Sequence, residues 1–440
     1  NFIIKGNNLI ALHSLKKRFA GKVKSVIIDP PYYFRNTKGS DAFNYNSNFK
    51  LSTWLVFMKN RLEIAKELLS DEGFCIIVIG EEGYAHLKLL ADDVFGEEKY
   101  VGTISWRKSD NQANIGEFAK VTDYILIYKQ NVGVLNKLPL TDTAKKEYRY
   151  SDDKGYFRRQ ILLHKTRGKY KYELTTPSGK ILHGPWMKSK EEIERLDNLG
   201  EIYWTRGGQE QPYGKLYLHD SEGQIPNDFW DKSFGTNQRG ADEIRELFNG
   251  ERVFDFPKPE RLIFNLIKIS SNVGDIILDF FMGSATTQAV AHKMNRQYVG
   301  IEQMDYIETV AVERLKKVIA GEEGGISKDV DWQGGGSFVY CELKNDAQEF
   351  KAKIQEASST EELTELLKFA KQSSFLSYRI DPKKLRENEF KQLSLAEQKQ
   401  ILSEIVDNNN LYVNYSDIDD ISNEISDADK KLNHEFYGGE

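Results

Sequence analysis

Residues 275–302, DIILDFFMGSATTQAVAHKMNRQYVGIE, are the stretch that decides the fold. A short apolar run ends at Asp279, a turn of small residues follows, and a helical pattern extends from about Thr286 to Met294. A second apolar run begins at Tyr298 and ends on the acid Glu302. Continuous apolar runs of this length are typical of strands buried on both faces. Strand, turn, helix and strand in this order predict a βαβ unit within a mostly parallel sheet.

The same alternation fills the first part of the chain. Helical spacing of apolar residues predicts a helix at Leu51–Leu69. Short apolar runs predict strands at Phe2–Ile4, Val23–Ile28, Phe74–Ile79 and Tyr124–Tyr128. The alternation stops near Asn131, where Gly, Tyr, Lys and Arg become frequent and turn signals are many. We therefore predict an α/β chain in four parts: residues 1–130 as the first part of an α/β domain, 131–249 as an insert, 250–325 as the second part of the same domain and 326–440 as a mixed α/β C-terminal region.

Composition narrows the class of protein. Hydrophobic residues make up 40% and charged residues 29%, which is typical of a folded globular chain. We find no apolar run long enough to span a membrane and no signal peptide, and the chain opens on Asn1 rather than Met, which leaves a preceding segment open. The two cysteines, Cys75 and Cys341, lie in apolar stretches and are expected to be free, buried thiols of a cytoplasmic protein. The histidines are scattered, so we expect no metal site.

Charge is distributed unevenly along the chain. The net charge is −6, yet residues 140–190 contain 13 Lys and Arg against 5 Asp and Glu. Residues 341–440 reverse this balance, with 13 basic against 21 acidic residues. A basic middle segment indicates a surface for an anionic partner, whereas an acidic tail is more often a solvated surface than a functional element.

The tetrapeptide Asp29-Pro30-Pro31-Tyr32 follows a predicted buried strand directly. Because prolines lack N–H donors, the loop presents carbonyls and a carboxylate, which suits a substrate amine with two protons to donate. Asp29 and the Pro30 carbonyl can each accept one of these protons, which localises the nitrogen lone pair, and Tyr32 offers a ring on which a base can stack. The alternative is a Pro-Pro turn with a helix-capping Asp.

The turn after the predicted strand at 275–279 is the second candidate site. Ligands of open α/β sheets bind at the carboxyl ends of strands, where small residues let backbone N–H groups approach. Glu302 ends the next strand, where an acid can accept hydrogen bonds from ribose hydroxyls. A nucleoside cofactor fits this pattern better than a nicotinamide, because Gly-x-Gly-x-x-Gly is absent from the sequence. The alternative is a plain strand, turn and helix.

Together these motifs resemble the beta arrangement of DNA amino-methyltransferases, in which the catalytic loop precedes the cofactor turn and a recognition insert separates them. The resemblance implies a Rossmann-like fold, S-adenosyl-L-methionine as cofactor, and a flipped-out adenine N6 as substrate. Phe256-Pro257-Lys258-Pro259-Glu260 resembles the family's segment that contacts the methionine part of the cofactor, which makes Lys258 a partner for the cofactor carboxylate, and residues 5–9, KGNNL, resemble its opening turn. The implied catalytic residues are Asp29, Pro30 and Tyr32, and the implied cofactor-binding residues are Asn7, Lys258, Asp279, Phe280, Phe281, Gly283, Ser284, Thr286, Thr287 and Glu302.

One position departs from the family pattern. The family turn is usually Phe-x-Gly-Ser-Gly-Thr-Thr, and here Ala285 replaces the second glycine. If this position needs a positive φ, alanine would weaken cofactor binding, whereas inside the helix it would be harmless. We favour the helical interpretation.

The resemblance extends to the methylation (Mod) subunits of type III restriction–modification systems, through residues 235–248, 332–338 and 410–420. It implies double-stranded DNA as partner, a homodimer and a separate restriction subunit, since the sequence has no Gly-x-x-x-x-Gly-Lys-Ser/Thr phosphate loop of its own. Cytosine-N4 methylation and a catalytically idle DNA-recognition subunit are the alternatives. Basic residues that alternate with aromatic ones make the insert the candidate DNA-binding region: Arg149, Arg158, Arg159, Lys165, Arg167, Lys169 and Lys171.

Overall fold

The computed structural model describes residues 1–33, 51–112, 117–205, 211–343, 353–372 and 390–410, so that 411–420 of the C-terminal resemblance lies outside the described residues. Within these ranges the chain divides into two compact units, one formed by Asn1–Leu135 with Asn227–Glu440 and the other by Asn136–Pro226. The second unit falls within the predicted insert of 131–249. Residues 227–249 belong instead to the first unit, because a short strand and a helix in this range pack on it.

The strands of the described residues, in chain order, are β1 (Phe2–Lys5), β2 (Val23–Ile28), β3 (Leu69–Ile79), β4 (Tyr100–Arg107), β5 (Thr122–Lys129), β6 (Tyr150–Asp152), β7 (Gly155–Ile161), β8 (Glu173–Thr175), β9 (Ile181–His183), β10 (Ile202–Trp204), β11 (Pro212–Tyr217), β12 (Phe229–Trp230), β13 (Ile276–Asp279), β14 (Gln297–Glu302) and β15 (Val339–Glu342). The helices are α1 (Asn8–Phe19), α2 (Leu51–Leu68), α3 (Glu81–Phe95), α4 (Asp142–Lys145), α5 (Lys190–Asn198), α6 (Asn237–Leu247), α7 (Glu260–Ser270), α8 (Thr286–Lys293), α9 (Glu313–Ile319), α10 (Thr360–Gln372) and α11 (Leu395–Asn410). The predicted helix and strands of the first 130 residues and of the βαβ unit are all present.

A nine-stranded sheet with the order β12-β4-β5-β3-β2-β13-β14-β1-β15 forms the first unit. Neighbouring strands pair in parallel throughout the stretch β3-β2-β13-β14-β1-β15 of the sheet. β5 runs antiparallel to both of its neighbours, β3 and β4. β2 is buried except at Lys24, β3 is buried from Gly73 onward and β13 from Ile277 onward, and the apolar runs of these strands predict that burial. The predicted α/β fold with a mostly parallel sheet is confirmed.

The sheet's hydrophobic core lies beneath the first three helices. Trp54, Met58 and Leu62 of α2 recur at helical spacing and are fully buried against the sheet, together with Ala11 and Leu12 of α1. This packing fixes the carboxyl ends of the strands, which carry the candidate site.

The cysteine prediction is half wrong. Cys75 lies on β3 and is buried, whereas Cys341 lies on β15 and is exposed. The reason is the position of β15 at the edge of the sheet, where β1 is its neighbour on one side. An apolar stretch on an edge strand can leave side chains in solvent.

The second unit is small and consists mostly of short strands, with the helices α4 and α5. β10, β11, β7 and β6 form an antiparallel sheet, and β8 pairs with β9 in a separate hairpin. Its own core contains Leu162, Trp186, Ile193 and Ile202, with Trp186 stacked on Tyr172 at 5.5 Å between ring centroids. The turn signals and short alternations of this region therefore correspond to short strands.

Candidate active site

The two candidate sites predicted from the sequence lie at one edge of the sheet. β2 and β13 are direct neighbours, with Ser25 opposite Ile277 and Val26 opposite Leu278. Both strands run in the same direction, so Asp29 after β2 and Asp279 at the end of β13 reach the same edge. Ligands of open α/β sheets bind at this edge, in the crevice beside the carboxyl ends of the strands.

Asp29 forms an ion pair with Lys258. The Lys258 Nζ lies 2.5 Å from Asp29 Oδ2, and only 10% of the lysine side chain is exposed. The other oxygen, Oδ1, is buried and has no hydrogen-bond partner among the described residues. Burial raises the pKa of Asp29, and the adjacent Lys258 ammonium acts in the opposite direction. The carboxylate thus has one oxygen engaged and one available.

Tyr32 is held by a second acid. Its hydroxyl donates to Asp123 Oδ2 at 3.1 Å, and Lys108 Nζ donates to Asp123 Oδ1 at 2.7 Å. The Trp54 indole donates to the Pro31 carbonyl at 2.8 Å and so secures the loop between its two functional residues. Burial raises the pKa of the Tyr32 hydroxyl well above its usual value, so the phenol is neutral and donates its proton to the acid.

Asp123 is a site residue that the sequence analysis missed. It stands at the start of β5, where an acid would ordinarily be attributed to the strand's solvent-exposed end. Because β5 runs antiparallel to β3, with Tyr124 opposite Ile79, its first residues lie at the carboxyl end of β3. Asp123 is only 1% exposed there. Only the reversed direction of β5 brings this acid to Tyr32, and no local sequence signal reports it.

Asp279 and Glu302 shape the turn between β13 and α8. Asp279 Oδ1 accepts the Phe281 N–H at 3.0 Å, and Glu302 Oε2 accepts the Gly283 N–H at 2.9 Å. Glu302 Oε1 accepts two further backbone N–H groups, from Gln303 at 2.8 Å and Met304 at 3.1 Å. Burial raises the pKa of Asp279 to about 7 and also raises that of Glu302. Both acids therefore hold the turn in place, and their predicted role toward a cofactor stays a prediction.

Ala285 is not in the helix, contrary to the interpretation favoured from the sequence. Its φ is +62° and it caps α8 from the left-handed region. An L-residue there is disfavoured by roughly 1–2 kcal/mol because its Cβ approaches the following carbonyl. Gly283 also has a positive φ, of +51°. The family glycine at position 285 is thus explained by backbone geometry, and the alanine is accommodated with strain.

Asn8, the neighbour of the predicted residue Asn7, reaches the turn between β13 and α8, and the predicted role of Asn7 toward a cofactor stays a prediction. Asn7 caps α1, where its side chain accepts the N–H groups of Leu9 and Ile10. Asn8 is buried, and its Nδ2 donates to the Phe280 carbonyl at 2.7 Å. Arg61 Nε donates to Asn8 Oδ1 at 2.8 Å. The predicted residue Asn7 therefore orients the helix that carries Asn8.

A buried ion network lies behind the turn. Arg314 donates to the Ser284 carbonyl at 3.2 Å and to Thr286 Oγ1 at 2.8 Å, and its other nitrogen lies 2.9 Å from Glu260 Oε1. Glu260 Oε2 accepts from Lys293 at 2.7 Å, and all three charged side chains are at most 3% exposed. Glu260 is the first residue of α7 and follows Lys258 by two positions. The network therefore connects the cofactor turn to the segment that carries Lys258.

The basic residues predicted to bind DNA lie in the second unit and do not all share one face. Six are exposed and Arg159 is half-buried. Arg159 lies over the rings of Tyr150 and Tyr213, each at 4.7 Å. Its neighbour Arg158 points to the opposite face of β7, where it lies 3.4 Å from Glu147. Because successive strand residues face opposite sides, Arg158 and Arg159 cannot bind the same phosphate.

The described residues show neither a metal cluster nor a membrane-spanning helix. They contain no group of three or more His, Cys, Asp or Glu side chains arranged to hold a metal ion. In the same part of the chain, no helix has both the length and the apolar character needed to cross a membrane.

Comparison with known proteins identifies the family. Residues 23–313 match the model of the N6_N4_Mtase family, described as DNA methylase. The probable type III restriction-modification enzyme HindVI Mod subunit of Haemophilus influenzae is 35% identical over all of this chain, which covers 68% of that protein. The StyLTI Mod subunit of Salmonella typhimurium is 32% identical over 68% of this chain and 50% of its own length. A DNA modification methylase of Thermus thermophilus, solved with S-adenosyl-L-methionine, superposes with a TM-score of 0.40 at 17% identity, covering 78% of this chain and 99% of that one. The predicted family and the prediction of an enzyme are confirmed: the chain belongs to the DNA methylase family and is a DNA methyltransferase related along its whole length to a type III Mod subunit.

Proposed function

We propose that the chain transfers a methyl group from S-adenosyl-L-methionine to N6 of an adenine flipped out of double-stranded DNA. The observation that carries this proposal is the buried, unpartnered Oδ1 of Asp29 beside Tyr32, among the described residues. A buried acceptor without a partner costs about 1–3 kcal/mol, and a substrate N–H removes that cost. The site is therefore built to receive a donor.

The chain's own residues perform two tasks in this reaction. Asp29 Oδ1 accepts one amine proton's hydrogen bond and so withdraws the nitrogen lone pair from conjugation with the ring. Tyr32 presents a ring whose hydroxyl is fixed by Asp123, and a stacked base gains about 1–3 kcal/mol. This offsets the few kcal/mol that flipping the base out of the duplex costs.

The turn at Asp279–Thr286 fits a cofactor that carries positive charge. S-adenosyl-L-methionine supplies a methyl group on a sulfonium centre and, in its amino-acid part, an ammonium and a carboxylate. Asp29 contributes to the raised pKa of Asp279, which indicates that the two carboxyls are close enough to repel each other. Burial opposes the ionisation of both. A cation in this space would allow both to ionise. Glu302 accepts the backbone N–H groups of Gly283, Gln303 and Met304 and a hydrogen bond from the Tyr306 side chain, so a ribose hydroxyl would share this carboxylate with them.

Adenine is preferred over cytosine as substrate because the catalytic loop begins with Asp29 rather than Ser. Mass spectrometry of nucleosides from DNA treated with the chain and S-adenosyl-L-methionine tests this directly. We expect N6-methyladenine, lost in Asp29→Ala and retained in the exposed control Asp71→Asn. N4-methylcytosine would contradict the choice of base, and a mark that persists in Asp29→Ala would contradict the mechanism.

The second unit is proposed to read the DNA sequence. Lys165 and Arg167 are exposed neighbours in the turn after β7, whereas Lys154 Nζ donates to the Leu199 carbonyl at 2.9 Å and lies 3.3 Å from Glu201. Affinity for DNA falls with salt concentration, and each basic residue that binds a phosphate makes the plot of log affinity against log salt steeper by about one unit. We expect Lys165→Ala and Arg167→Ala to lower this slope and Lys154→Ala to leave it unchanged.

The names of the relatives, type III Mod subunits among them, support a role as the modification subunit of a type III system. A separate restriction subunit as partner, a homodimer as the assembly and a reducing cytoplasm as the location belong to the same proposal and rest on the resemblance found in the sequence. Light scattering of the purified chain tests the dimer. Co-purification with a restriction subunit encoded beside it tests the partner, and elution of the two proteins apart would contradict the pairing.

A further inference from the structure

Lys258 occupies a position that the family resemblance does not explain. The resemblance assigns this lysine to the cofactor carboxylate, but its Nζ lies 2.5 Å from Asp29 Oδ2 and 5.3 Å from the centre of the Tyr32 ring. Both contacts are with the predicted catalytic loop. The lysine thus meets the two side chains that are proposed to hold the substrate base.

The backbone on both sides of Lys258 is fixed. It stands between Pro257 and Pro259, whose rings lock φ. Gly240 packs so closely on the Pro257 carbonyl that an added Cβ would lie 2.3 Å from its oxygen, and at Gly235 an added Cβ would lie 2.8 Å from Pro259. Glu260 then anchors the segment in the buried ion network. The ammonium is therefore delivered to Asp29 by a rigid segment, unlike a surface lysine that samples many positions.

The charges around Asp29 show what this ammonium does. Lys258 and the Tyr32 hydroxyl favour the ionised carboxylate, while burial and the carboxylate of Asp123 oppose it. Asp279 at the end of β13 is a further nearby acid, since Asp29 contributes to its raised pKa. Lys108 pairs with Asp123 and not with Asp29. Lys258 is thus the cation in direct contact with Asp29 among the described residues.

Ionisation of Asp29 matters because a protonated carboxyl would present an O–H donor to the substrate amine, which needs an acceptor. We propose that Lys258 is a positioning residue for methyl transfer: it binds Oδ2 of Asp29, keeps the group a carboxylate, and leaves Oδ1 directed at the substrate amine. This inference rests on the proposed function, because it assigns Lys258 a part in the same site.

The pH profile of single-turnover methylation tests the inference, with saturating cofactor and DNA. Lys258→Met should move the acid limb of the profile upward by at least one pH unit, and Lys258→Arg should return it to within a few tenths of the parent value. Lys24→Met is the matched control, because Lys24 pairs with Glu72 near the opposite end of β2 and its loss should leave the limb in place. A merely structural lysine would change the rate or the melting temperature without moving the limb.

A second measurement keeps the test independent of activity. The chain labelled with ¹³C at aspartate carboxyls gives an Asp29 resonance, identified by its absence in Asp29→Asn, whose titration NMR can follow. A titration midpoint of Asp29 that is at least one pH unit higher in Lys258→Met supports the inference, whether or not a methylated base is found. The absence of a methylated base would count against the proposed function alone. An unchanged midpoint overturns the inference. If the midpoint is unchanged and cofactor affinity falls in Lys258→Met, the lysine binds the cofactor carboxylate, as the family resemblance implies.

Discussion

Replacing Asp279 by Asn should make the protein more stable at alkaline pH. Asp279 is 4% exposed, and burial raises its pKa to about 7 from the usual 3.8. The folded state therefore holds a proton between about pH 4 and pH 7 that the unfolded chain has released. A carboxyl with a raised folded-state pKa contributes stability below its unfolded pKa and loses it as the pH rises through the folded pKa.

The size of the effect follows from the shift. About 3 pH units at about 1.36 kcal/mol each correspond to about 4 kcal/mol of lost stability at pH 8. At pH 5 only the first part of this loss has occurred, so about 3 kcal/mol separates pH 5 from pH 8. Asn has no proton to lose, and its Oδ1 can still accept the Phe281 N–H that Asp279 Oδ1 accepts.

The assay is differential scanning calorimetry of the parent and Asp279→Asn at pH 5 and pH 8. Buried acids that do not interact with Asp279 titrate alike in both proteins, so their contributions cancel when the two differences are compared. At roughly 2 °C per kcal/mol, the variant should gain about 6 °C on the parent between the two pH values. Asp305→Asn, whose parent side chain is 97% exposed, is the control and should gain nothing. An equal difference between parent and Asp279→Asn at both pH values would refute the raised pKa.

Three further predictions concern the turn, the buried network and the thiols. Gly283→Ala places a Cβ at φ +51° and should lower the free energy of unfolding by roughly 1–2 kcal/mol, whereas Gly102→Ala, with open space around it, should be close to neutral, as thermal melts would show. Glu260→Gln leaves buried cations without this carboxylate and should cost about 3–5 kcal/mol in the same measurement; a loss below about 1 kcal/mol would contradict the network's importance. A thiol reagent should label Cys341 in the native protein and Cys75 only after denaturation, and native labelling of both would contradict the burial of β3.

The local parts of the site could be predicted from the sequence. Asp29 follows the apolar residues Val26–Ile28 and Asp279 follows Ile276–Leu278, and buried strands of this kind end at the ligand-binding edge of an α/β sheet. The predicted strands around them are present as β2 and β13. Such features depend on residues within a few positions of one another, so periodicity and turn chemistry suffice to find them.

The conformation of single residues was harder to predict from the sequence. Whether Ala285 has a helical or a left-handed φ depends on where α8 begins, and helix boundaries shift by a residue or two without a change in pattern. Asn7 and Asn8 are likewise chemically identical, and only the rotation of α1 decides which one caps the helix and which one meets the Phe280 carbonyl.

The sequence by itself determined the α/β class, the family and the two motifs that carry the chemistry, because each is encoded in a short stretch. The tertiary structure decided how those motifs meet. It places β2 beside β13, although about 250 residues separate them, reverses β5 so that Asp123 holds Tyr32, and brings Lys258 to Asp29. The physical reason is that strand order and direction are set by hydrogen-bond ladders and packing between distant segments, which no local pattern contains.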